Sequence, residues 1–224
     1  MDNAPFPSLT LTLDALSCRR GDRLLFSTLS LAVQSGDMIE IKGPNGVGKS
    51  SLLRILSGLL PAESGTITLQ EGEEASPSLN EYAHYLGHQN SLKSAFSVAD
   101  NLGFWRDFSY APGLPPQDAL NRLELSHLIH LPCGVLSAGQ RRRVAFARLL
   151  VAKRPIWLLD EPTAALDSAA DALVGALISD HVKAGGIVMA ATHLPLMLDI
   201  PASSHHVLEL SDYLPKYAFV GDAL

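Results

Sequence analysis

The feature that most constrains this chain is a glycine-rich run at residues 43–50, which reads Gly-Pro-Asn-Gly-Val-Gly-Lys-Ser. It fits the pattern G-x-x-x-x-G-K-S/T, which binds phosphate groups when it lies between a strand and a helix. The apolar segment Met38–Lys42 predicts that strand, and helical periodicity over residues 51–60 predicts a helix that Pro61 ends. The chain is therefore expected to fold around a phosphate-binding loop.

The residue types of this loop suit a bound polyphosphate. Glycines let successive N–H groups turn inward on an anion, and the helix N-terminus adds its partial positive charge. Lys49 is expected to reach the β- and γ-phosphates, and the Ser50 hydroxyl is expected to bind Mg²⁺. The predicted nucleotide-binding residues of the loop are Gly43, Pro44, Asn45, Gly46, Val47, Gly48, Lys49, Ser50 and Ser51.

A second apolar strand, Ile156–Asp160, ends in a carboxylate and is followed by Glu161. Such a strand places an acid beside the phosphate loop, where Asp160 would act through Mg²⁺ and its water. Glu161 would point toward the γ-phosphate and polarise the attacking water as general base. An Asp-Glu pair alone is more often a solvated turn, so this assignment depends on the phosphate loop.

The order of the predicted elements indicates an α/β fold with a mostly parallel sheet. Alternation over residues 9–33 predicts an N-terminal antiparallel β part with a turn at residues 20–22. Residues 91–154 are mostly helical and broken by prolines, which predicts an inserted helical lobe. The remaining predicted elements are strands at 65–69, 82–86, 187–191 and 207–210 and a helix at 168–183. We expect one domain, with a core at about 1–90 and 155–224 and the lobe at about 91–154.

Composition excludes several classes of protein. Hydrophobic residues make up 47% of the 224 residues and charged residues 18%, which argues against disorder. No apolar run approaches the roughly 18 residues that a membrane helix needs. The net charge of -6 disfavours a nucleic-acid partner. The one dense basic run, residues 141–143, is interpreted as a solvated helix face.

Residues 136–140 distinguish among the nucleotide enzymes that share these features, which include kinases, GTPases and helicases. They read Leu-Ser-Ala-Gly-Gln, in which Ser137 and Gln140 form a helix capping box. The segment also resembles the signature motif of ATP-binding-cassette (ABC) ATPases, with Ala138 where the commonest form has glycine. The resemblance implies that Ser137, Gly139 and Gln140 bind the γ-phosphate of a nucleotide held by another subunit.

Three more positions agree with this family. Gln89 resembles the Q-loop glutamine, which joins Mg²⁺ and the attacking water to the helical lobe. Asp167 lies in a segment similar to the D-loop, which crosses the dimer interface, and His193 resembles the switch histidine that contacts the γ-phosphate. The resemblance covers about residues 9–210.

This resemblance implies a P-loop NTPase fold of ABC type that binds ATP and Mg²⁺ and hydrolyses ATP. The implied catalytic residues are Glu161, His193 and Gln89, and the implied Mg²⁺ ligands are Ser50, Gln89 and Asp160. It also implies a head-to-tail homodimer with two ATP molecules at its interface.

One position departs from the family. Where an aromatic residue usually stacks on adenine, counting along the N-terminal strands places Arg20. A guanidinium can stack on a base with less selectivity. We therefore expect Arg20 to contact the nucleotide, with only a modest preference for ATP over GTP.

Four stretches in and around the helical lobe are most similar to the heme exporter ATPases of cytochrome c maturation: residues 85–93, 101–105, 136–150 and 185–187. This implies an integral membrane subunit of the CcmB type and other cytochrome c maturation membrane proteins as partners. It places the chain as a peripheral protein on the cytoplasmic face of the bacterial inner membrane. Two alternatives stay open: an ATPase of another exporter or importer, and a soluble ABC ATPase acting on nucleic acid or ribosomes.

Direct heme binding by this chain is not expected. His84 and His88 lie four residues apart in and beside a predicted strand, where that spacing does not converge on a metal, and Cys-x-x-Cys-His is absent. His205 and His206 are interpreted as polar residues that enter a strand. Mg²⁺ is therefore the one metal assigned.

Overall fold

The computed structural model describes residues 6–72, 74–75, 78–109 and 111–215. These residues form two sheets. The first is antiparallel with strand order β2-β1-β4-β5, and the second has the order β6-β7-β8-β3-β9. The strands are β1 Leu9–Arg20, β2 Arg23–Gln34, β3 Met38–Lys42, β4 Ser64–Glu71, β5 Glu74–Ala75, β6 Ala83–Leu86, β7 Ile156–Asp160, β8 Ile187–Ala191 and β9 His205–Glu209.

Every pairing in the second sheet is parallel. Parallel strands need crossover connections, and helices supply them here. The helices are α1 Lys49–Leu56, α2 Leu79–Tyr82, α3 Val98–Asp107, α4 Pro116–Asn121, α5 Ala138–Val151 and α6 Ser168–Lys183. The predicted α/β fold, with a parallel sheet and an N-terminal antiparallel part, is confirmed.

Both faces of the parallel sheet are buried. In β7, Ile156 and Leu158 pack into one hydrophobic cluster with α1 and the antiparallel sheet. Trp157 and Leu159 of the same strand pack on the opposite face, against the helical segments. Because alternate side chains enter two different cores, the strand is apolar throughout, as central parallel strands are. This double burial accounts for much of the chain's apolar composition.

The first helix differs from its predicted bounds. It begins at Lys49, directly after Gly48, and ends at Leu56 rather than at residue 60. The cause is Gly58, whose left-handed backbone at φ 72° reverses the chain, so that the N–H of Leu59 donates to the Arg54 carbonyl. This is a glycine C-terminal cap, which stops the helix before Pro61 is reached.

Three predicted strands also have different bounds, and the one predicted at residues 65–69 extends over Ser64–Glu71 as β4. Tyr82 ends α2 and lies outside β6, and β9 runs over His205–Glu209 rather than over 207–210. Pairing with β3 sets the start of β9, because His205 is in register with Met38. His205 and His206 contact carboxylates there. Nε2 of His205 lies 3.3 Å from Oε2 of Glu40, and Nε2 of His206 lies 3.4 Å from Oδ1 of Asp37.

No helix within the described ranges is both long enough and apolar enough to cross a bilayer.

Two buried histidines in the core are held neutral. Nε2 of His84 donates to the Ala152 carbonyl at 2.6 Å, and Nε2 of His181 donates to the Pro155 carbonyl at 3.0 Å. His181 also stacks on Trp157, with 3.9 Å between ring centroids. Burial lowers the pKa of both histidines to about 3.

These pKa values predict acid sensitivity. The unfolded chain takes up protons at an ordinary histidine pKa of about 6.5, whereas the folded chain does not until about pH 3. The stabilisation is therefore complete above pH 6.5 and is lost as the pH falls. We expect the free energy of unfolding to decrease by about 3 kcal/mol between pH 7.5 and pH 5.5.

Denaturant titrations across this pH range measure the slope. His84→Gln, whose amide can still donate to Ala152, is expected to reduce the slope, and the exposed His127→Gln serves as the control. A wild-type stability that stays level between pH 7.5 and pH 5.5 contradicts this account.

Candidate functional site

The carboxyl ends of the five parallel strands lie at one edge of the sheet, where ligands bind in open α/β folds. The phosphate loop follows β3, Glu161 follows β7, and His193 lies just beyond β8. These segments border a cavity of about 430 Å³ together with the β1–β2 turn. Its lining residues are Arg20, Arg23, Leu25, Asn45, Gly46, Gly48, Lys49, Ser50, Ser51, Glu161 and His193.

The loop needs glycine at Gly48, which is the N-cap of α1. Its φ of 118° is unfavourable for other residues, and a Cβ there would lie 3.0 Å from the Phe26 ring. No side chain caps the helix at this position, so the first N–H groups of α1 face the cavity without an acceptor from Gly48. That arrangement suits a bound anion.

Not every residue of the predicted loop lines the cavity. Val47 is buried in the hydrophobic core. Gly43 and Pro44 contribute their carbonyl oxygens, which accept hydrogen bonds from Nζ of Lys49 at 2.7 and 3.2 Å. These three residues therefore shape the loop, while the others present groups to a ligand.

Lys49 lines the cavity. Its Nζ also lies 3.0 Å from Nε2 of His193, which joins the phosphate loop to the end of β8. Desolvation lowers the pKa of Lys49, and the nearby carboxylates of Glu161 and Asp160 oppose that shift. A desolvated ammonium with weak carbonyl partners is well suited to exchange them for phosphate oxygens.

Ser50 and Asp160 lie together at the side of the cavity. The Ser50 hydroxyl donates to Oδ1 of Asp160 at 2.9 Å, and the Tyr85 hydroxyl approaches Oδ2 at 3.4 Å. A hydroxyl and a carboxylate at this separation are hard oxygen donors of the kind that Mg²⁺ prefers. The residues present therefore fit the predicted metal.

Glu161 lines the cavity, and its carboxylate lies 3.6 Å from Nε2 of His193. Its side chain is 29% exposed, so water can reach it. The backbone of Glu161 is left-handed at φ 49°, a strained conformation for this residue, and its N–H donates to the Ala191 carbonyl at 2.8 Å. The fold thus fixes the direction in which the Glu161 side chain points after the end of β7.

The structure does not bring the remaining predicted site residues into this cavity. Gln89 is exposed on the loop after β6. Ser137 caps α5, and Gln140 completes the capping box. The Asp167 side chain accepts from the Ala170 N–H at the start of α6.

Gly139 in the first turn of α5 lies close to the segment before Asp167. A Cβ on Gly139 would lie 3.2 Å from the Ala165 carbonyl oxygen. Two neighbouring helix N-termini, those of α5 and α6, therefore lie side by side away from the cavity of their own chain.

The sequence did not identify Arg23 as a site residue, although it lines the cavity beside Arg20. The two are a registered pair across the β1–β2 turn. Cross-strand partners present their side chains on the same face of a sheet, which is the signal that could have found Arg23.

The interpretation of residues 141–143 as a solvated helix face was wrong for Arg142. This residue is 4% exposed and its guanidinium points into the protein. Burial lowers the pKa of Arg142 to about 10, while the charges of Asp160 and Glu161 act to raise it. Its spacing from Phe146 and Leu149 along α5, both buried, is the signal that places it on the inner face.

Comparisons with known proteins agree with this geometry. The profile of the ABC transporter family matches residues 26–164. A cytochrome c biogenesis ATP-binding export protein CcmA from Nitrobacter winogradskyi is 51% identical over 188 residues, which cover 84% of this chain and 94% of the relative. The protein of the same name from Nitrobacter hamburgensis is 52% identical over 192 residues, which cover 84% and 94%.

Solved structures share the fold. A putative ABC transporter ATP-binding protein from Pyrococcus furiosus superimposes with a TM-score of 0.74 at 23% identity, covering 92% of this chain and all of that chain. A dimeric ATP-binding cassette in a post-hydrolysis state, bound to ADP and phosphate, gives a TM-score of 0.70 at 24% identity, covering 82% and 88%.

Proposed function

The chain belongs to the ABC transporter family, among the cytochrome c biogenesis ATP-binding export proteins, and we propose that it is the ATP-hydrolysing subunit of the membrane exporter in cytochrome c maturation. The observation that carries the ATPase assignment is the cavity itself. Lys49, the Ser50–Asp160 pair and Glu161 converge there on the position expected for a nucleotide's phosphates. The identity of about 50% with export proteins of that pathway supports the assignment of the pathway.

Phosphate binding begins with the loop and Lys49. Backbone N–H groups at the N-terminus of α1 receive the α- and β-phosphates. Lys49 then leaves the Gly43 and Pro44 carbonyls for the β- and γ-phosphates, because charged acceptors form the stronger hydrogen bonds. His193 lies beside Lys49, which supports its proposed contact with the γ-phosphate.

Ser50, Asp160 and Gln89 would hold Mg²⁺. When bound, the ion neutralises charge on the β- and γ-phosphate oxygens. Ser50 and Asp160 are already adjacent. Gln89 must move in from its exposed loop, which is the movement expected of a residue that senses the bound nucleotide.

Glu161 is the proposed general base. Its carboxylate accepts a proton from the attacking water as the water oxygen bonds to the γ-phosphorus and the bond to ADP breaks. The products are ADP and inorganic phosphate. The left-handed backbone of Glu161 aims this carboxylate, and His193 stands 3.6 Å away to orient it.

A second copy of the chain would complete the site. Ser137, Gly139 and Gln140 lie at a helix N-terminus, a phosphate-binding feature in which Ser137 is exposed, and Ala165, two residues before Asp167, lies next to Gly139. A head-to-tail homodimer would place each of these N-termini on the partner's γ-phosphate. A single purified chain is then expected to hydrolyse ATP only weakly.

The proposed membrane partner is an integral subunit of the CcmB type, with other cytochrome c maturation proteins, at the cytoplasmic face of the inner membrane.

We place the dividing line between core and helical lobe at about residues 91 and 154. Aromatic side chains on this lobe support docking near the Gln89 loop, since Phe104 is 54% and Phe108 is 72% exposed. No nucleic acid and no heme bound to this chain are part of the proposal.

Deleting the gene tests the assignment to cytochrome c maturation. We expect c-type cytochromes, measured by heme staining of membrane proteins, to disappear and to return with the wild-type chain but not with Glu161→Gln. Normal assembly of c-type cytochromes in the deletion strain would assign the chain to another exporter or importer. Stable ribosome or DNA association would favour the second alternative, a soluble ABC ATPase that acts on nucleic acid or ribosomes.

Selectivity for the base is expected to be low. Arg20 and Arg23 flank the cavity where an aromatic residue would otherwise stack on adenine, and a guanidinium plane accepts either purine. Steady-state hydrolysis of ATP and GTP measures this as a ratio of Michaelis constants, expected below about a hundred. A larger ratio contradicts the role of the arginine pair. Arg122→Ala, which removes a surface arginine, is the control for Arg23→Ala, which removes an arginine that lines the cavity.

A further inference from the structure

All five guanidinium N–H donors of Arg142 have an acceptor on one of two catalytic segments. Nε donates to the Pro162 carbonyl at 3.1 Å, and Nη2 donates to the carbonyls of Asp160 and Glu161 at 2.8 and 2.7 Å. Nη1 donates to the Gly87 carbonyl at 2.7 Å and to Oδ1 of Asn90 at 3.1 Å. Every N–H donor of the guanidinium is therefore hydrogen-bonded to one of these two segments.

The first segment is the turn after β7. Arg142 binds three successive carbonyls of this turn, and the middle one belongs to Glu161, whose backbone is left-handed. A strained conformation persists only where its surroundings impose it. Arg142 on one side and the Ala191 carbonyl on the other supply that constraint.

The second segment is the loop that carries Gln89. Arg142 binds Gly87 and Asn90, which flank the two residues at the tip of this loop. Arg148, six residues further along the same helix, donates to the Tyr85 carbonyl at 3.0 Å and lies over the Trp105 ring at 4.7 Å. The loop is thus anchored to α5 at both ends while the Gln89 side chain stays exposed.

Both segments are tied to the helix whose first turn contains Ser137 and Gly139. Arg142 lies five residues after Ser137, the N-cap of α5, which is about 1.4 helical turns. A rigid helix that moves at its N-terminus must move the guanidinium with it. The Glu161 turn and the Gln89 loop follow because five hydrogen bonds hold them.

We propose that Arg142 is a positioning residue that fixes the Glu161 turn and the Gln89 loop to helix α5, so that occupation of the Ser137 end of this helix sets the catalytic geometry of the same chain's own ATP site. The inference rests on the proposed function, since it concerns the hydrolysis step. It adds a connection between the two ATP sites of a dimer. In a dimer, the N-terminus of α5 in each chain contacts the nucleotide bound by the partner. Through Arg142, the same helix adjusts the position of the general base, Glu161, in its own chain's ATP site.

The planar fork of arginine is what this role requires. Lysine carries the charge but offers three donors in a different geometry, so Arg142→Lys keeps the charge and cannot bind all five acceptors. Displacement of a catalytic group by about 1 Å costs on the order of 100-fold in rate. We expect Arg142→Lys to lower kcat by about 10- to 100-fold and to change the dissociation constant for ATP by less than about threefold.

The full-length chain is assayed for kcat and KM by phosphate release, and for ATP affinity with a fluorescent ATP analogue. Arg143→Lys is the matched control, because it lies on the same helix and donates instead to the Leu123 carbonyl in the helical segment. Asn90→Ala is the second variant. It removes one acceptor of Nη1 at the loop and leaves the buried charge its four carbonyl partners, so it is expected to fold.

A loss of kcat at unchanged ATP affinity in Arg142→Lys, with a smaller loss in Asn90→Ala and none in Arg143→Lys, supports the proposal. Turnover within about twofold of wild type in Arg142→Lys overturns it, as does a loss of affinity equal to the loss of turnover. If Arg142→Lys does not fold, unchanged turnover in Asn90→Ala overturns it. A wild-type chain that binds ATP without hydrolysing it contradicts the proposed function instead, which is evident before any variant is compared.

Discussion

Replacing Glu161 by glutamine is expected to lower the rate of ATP hydrolysis by about 10²- to 10⁴-fold, the range for loss of a general base, while ATP still binds. Glutamine keeps the size and shape of the side chain but does not accept a proton from water. The backbone hydrogen bonds of residue 161 to Ala191 and Arg142 are unaffected, so the turn is preserved. Phosphate release and fluorescent ATP binding measure the two effects separately.

The same variant is expected to accumulate a closed dimer. ATP binds the closed form more tightly than the open form, and without hydrolysis nothing reopens it. Size-exclusion chromatography with ATP and Mg²⁺ should show a dimer for Glu161→Gln and monomer for the control Glu124→Gln, an exposed carboxylate in the helical segment. Unchanged turnover in Glu161→Gln would remove this residue as the base.

Lys49→Met is expected to weaken ATP binding by about 100-fold or more. A hydrogen bond to a charged group contributes about 1.5–3 kcal/mol, and Lys49 is placed to make at least two of them to the β- and γ-phosphates. Methionine fills the same space without charge. Titration with a fluorescent ATP analogue measures the loss of affinity directly.

Lys42→Met is the matched control for this substitution. Lys42 lies at the end of β3, close in sequence to the loop, but its ammonium is on the surface, 3.4 Å from the Glu40 carboxylate. We expect its ATP affinity to match wild type. An affinity of Lys49→Met within about threefold of wild type would mean that the loop binds phosphate through its backbone alone, contrary to the proposed role of the side chain.

The central part of the fold and of the ATP site could be predicted because the sequence signals there are local. The strand, loop and helix over residues 38–56 follow from hydrophobic pattern and glycine spacing, and β7 and β8 have the bounds that were predicted. Element ends were less predictable. The start of β9 depends on its register with β3. These segments lie more than 160 residues apart, and local β-propensity does not indicate their pairing.

The largest difference from the sequence analysis concerns Arg142. A run of three arginines is typical of a solvated helix face, and burying one of them requires partners for every donor. Four of those partners are backbone carbonyls of two turns, at separations of 18 to 55 residues along the chain, and the fifth is Oδ1 of Asn90. The helical spacing from Phe146 and Leu149 places Arg142 on the inner face, but backbone carbonyls are common to all residues, so the sequence does not indicate which of them it binds.

The most direct test of the shared ATP site mixes two inactive variants. Lys49→Met disables the phosphate loop, and Gly139→Glu places a carboxylate at the N-terminus of α5, where it repels the partner's γ-phosphate. In a dimer of one chain of each kind, one composite site has an intact loop and an intact signature segment. We predict that the equimolar mixture recovers about a quarter of wild-type ATP hydrolysis, since half the dimers are mixed and each has one of two sites. A mixture no more active than the average of the two variants would contradict the claim that two copies of this chain build each site.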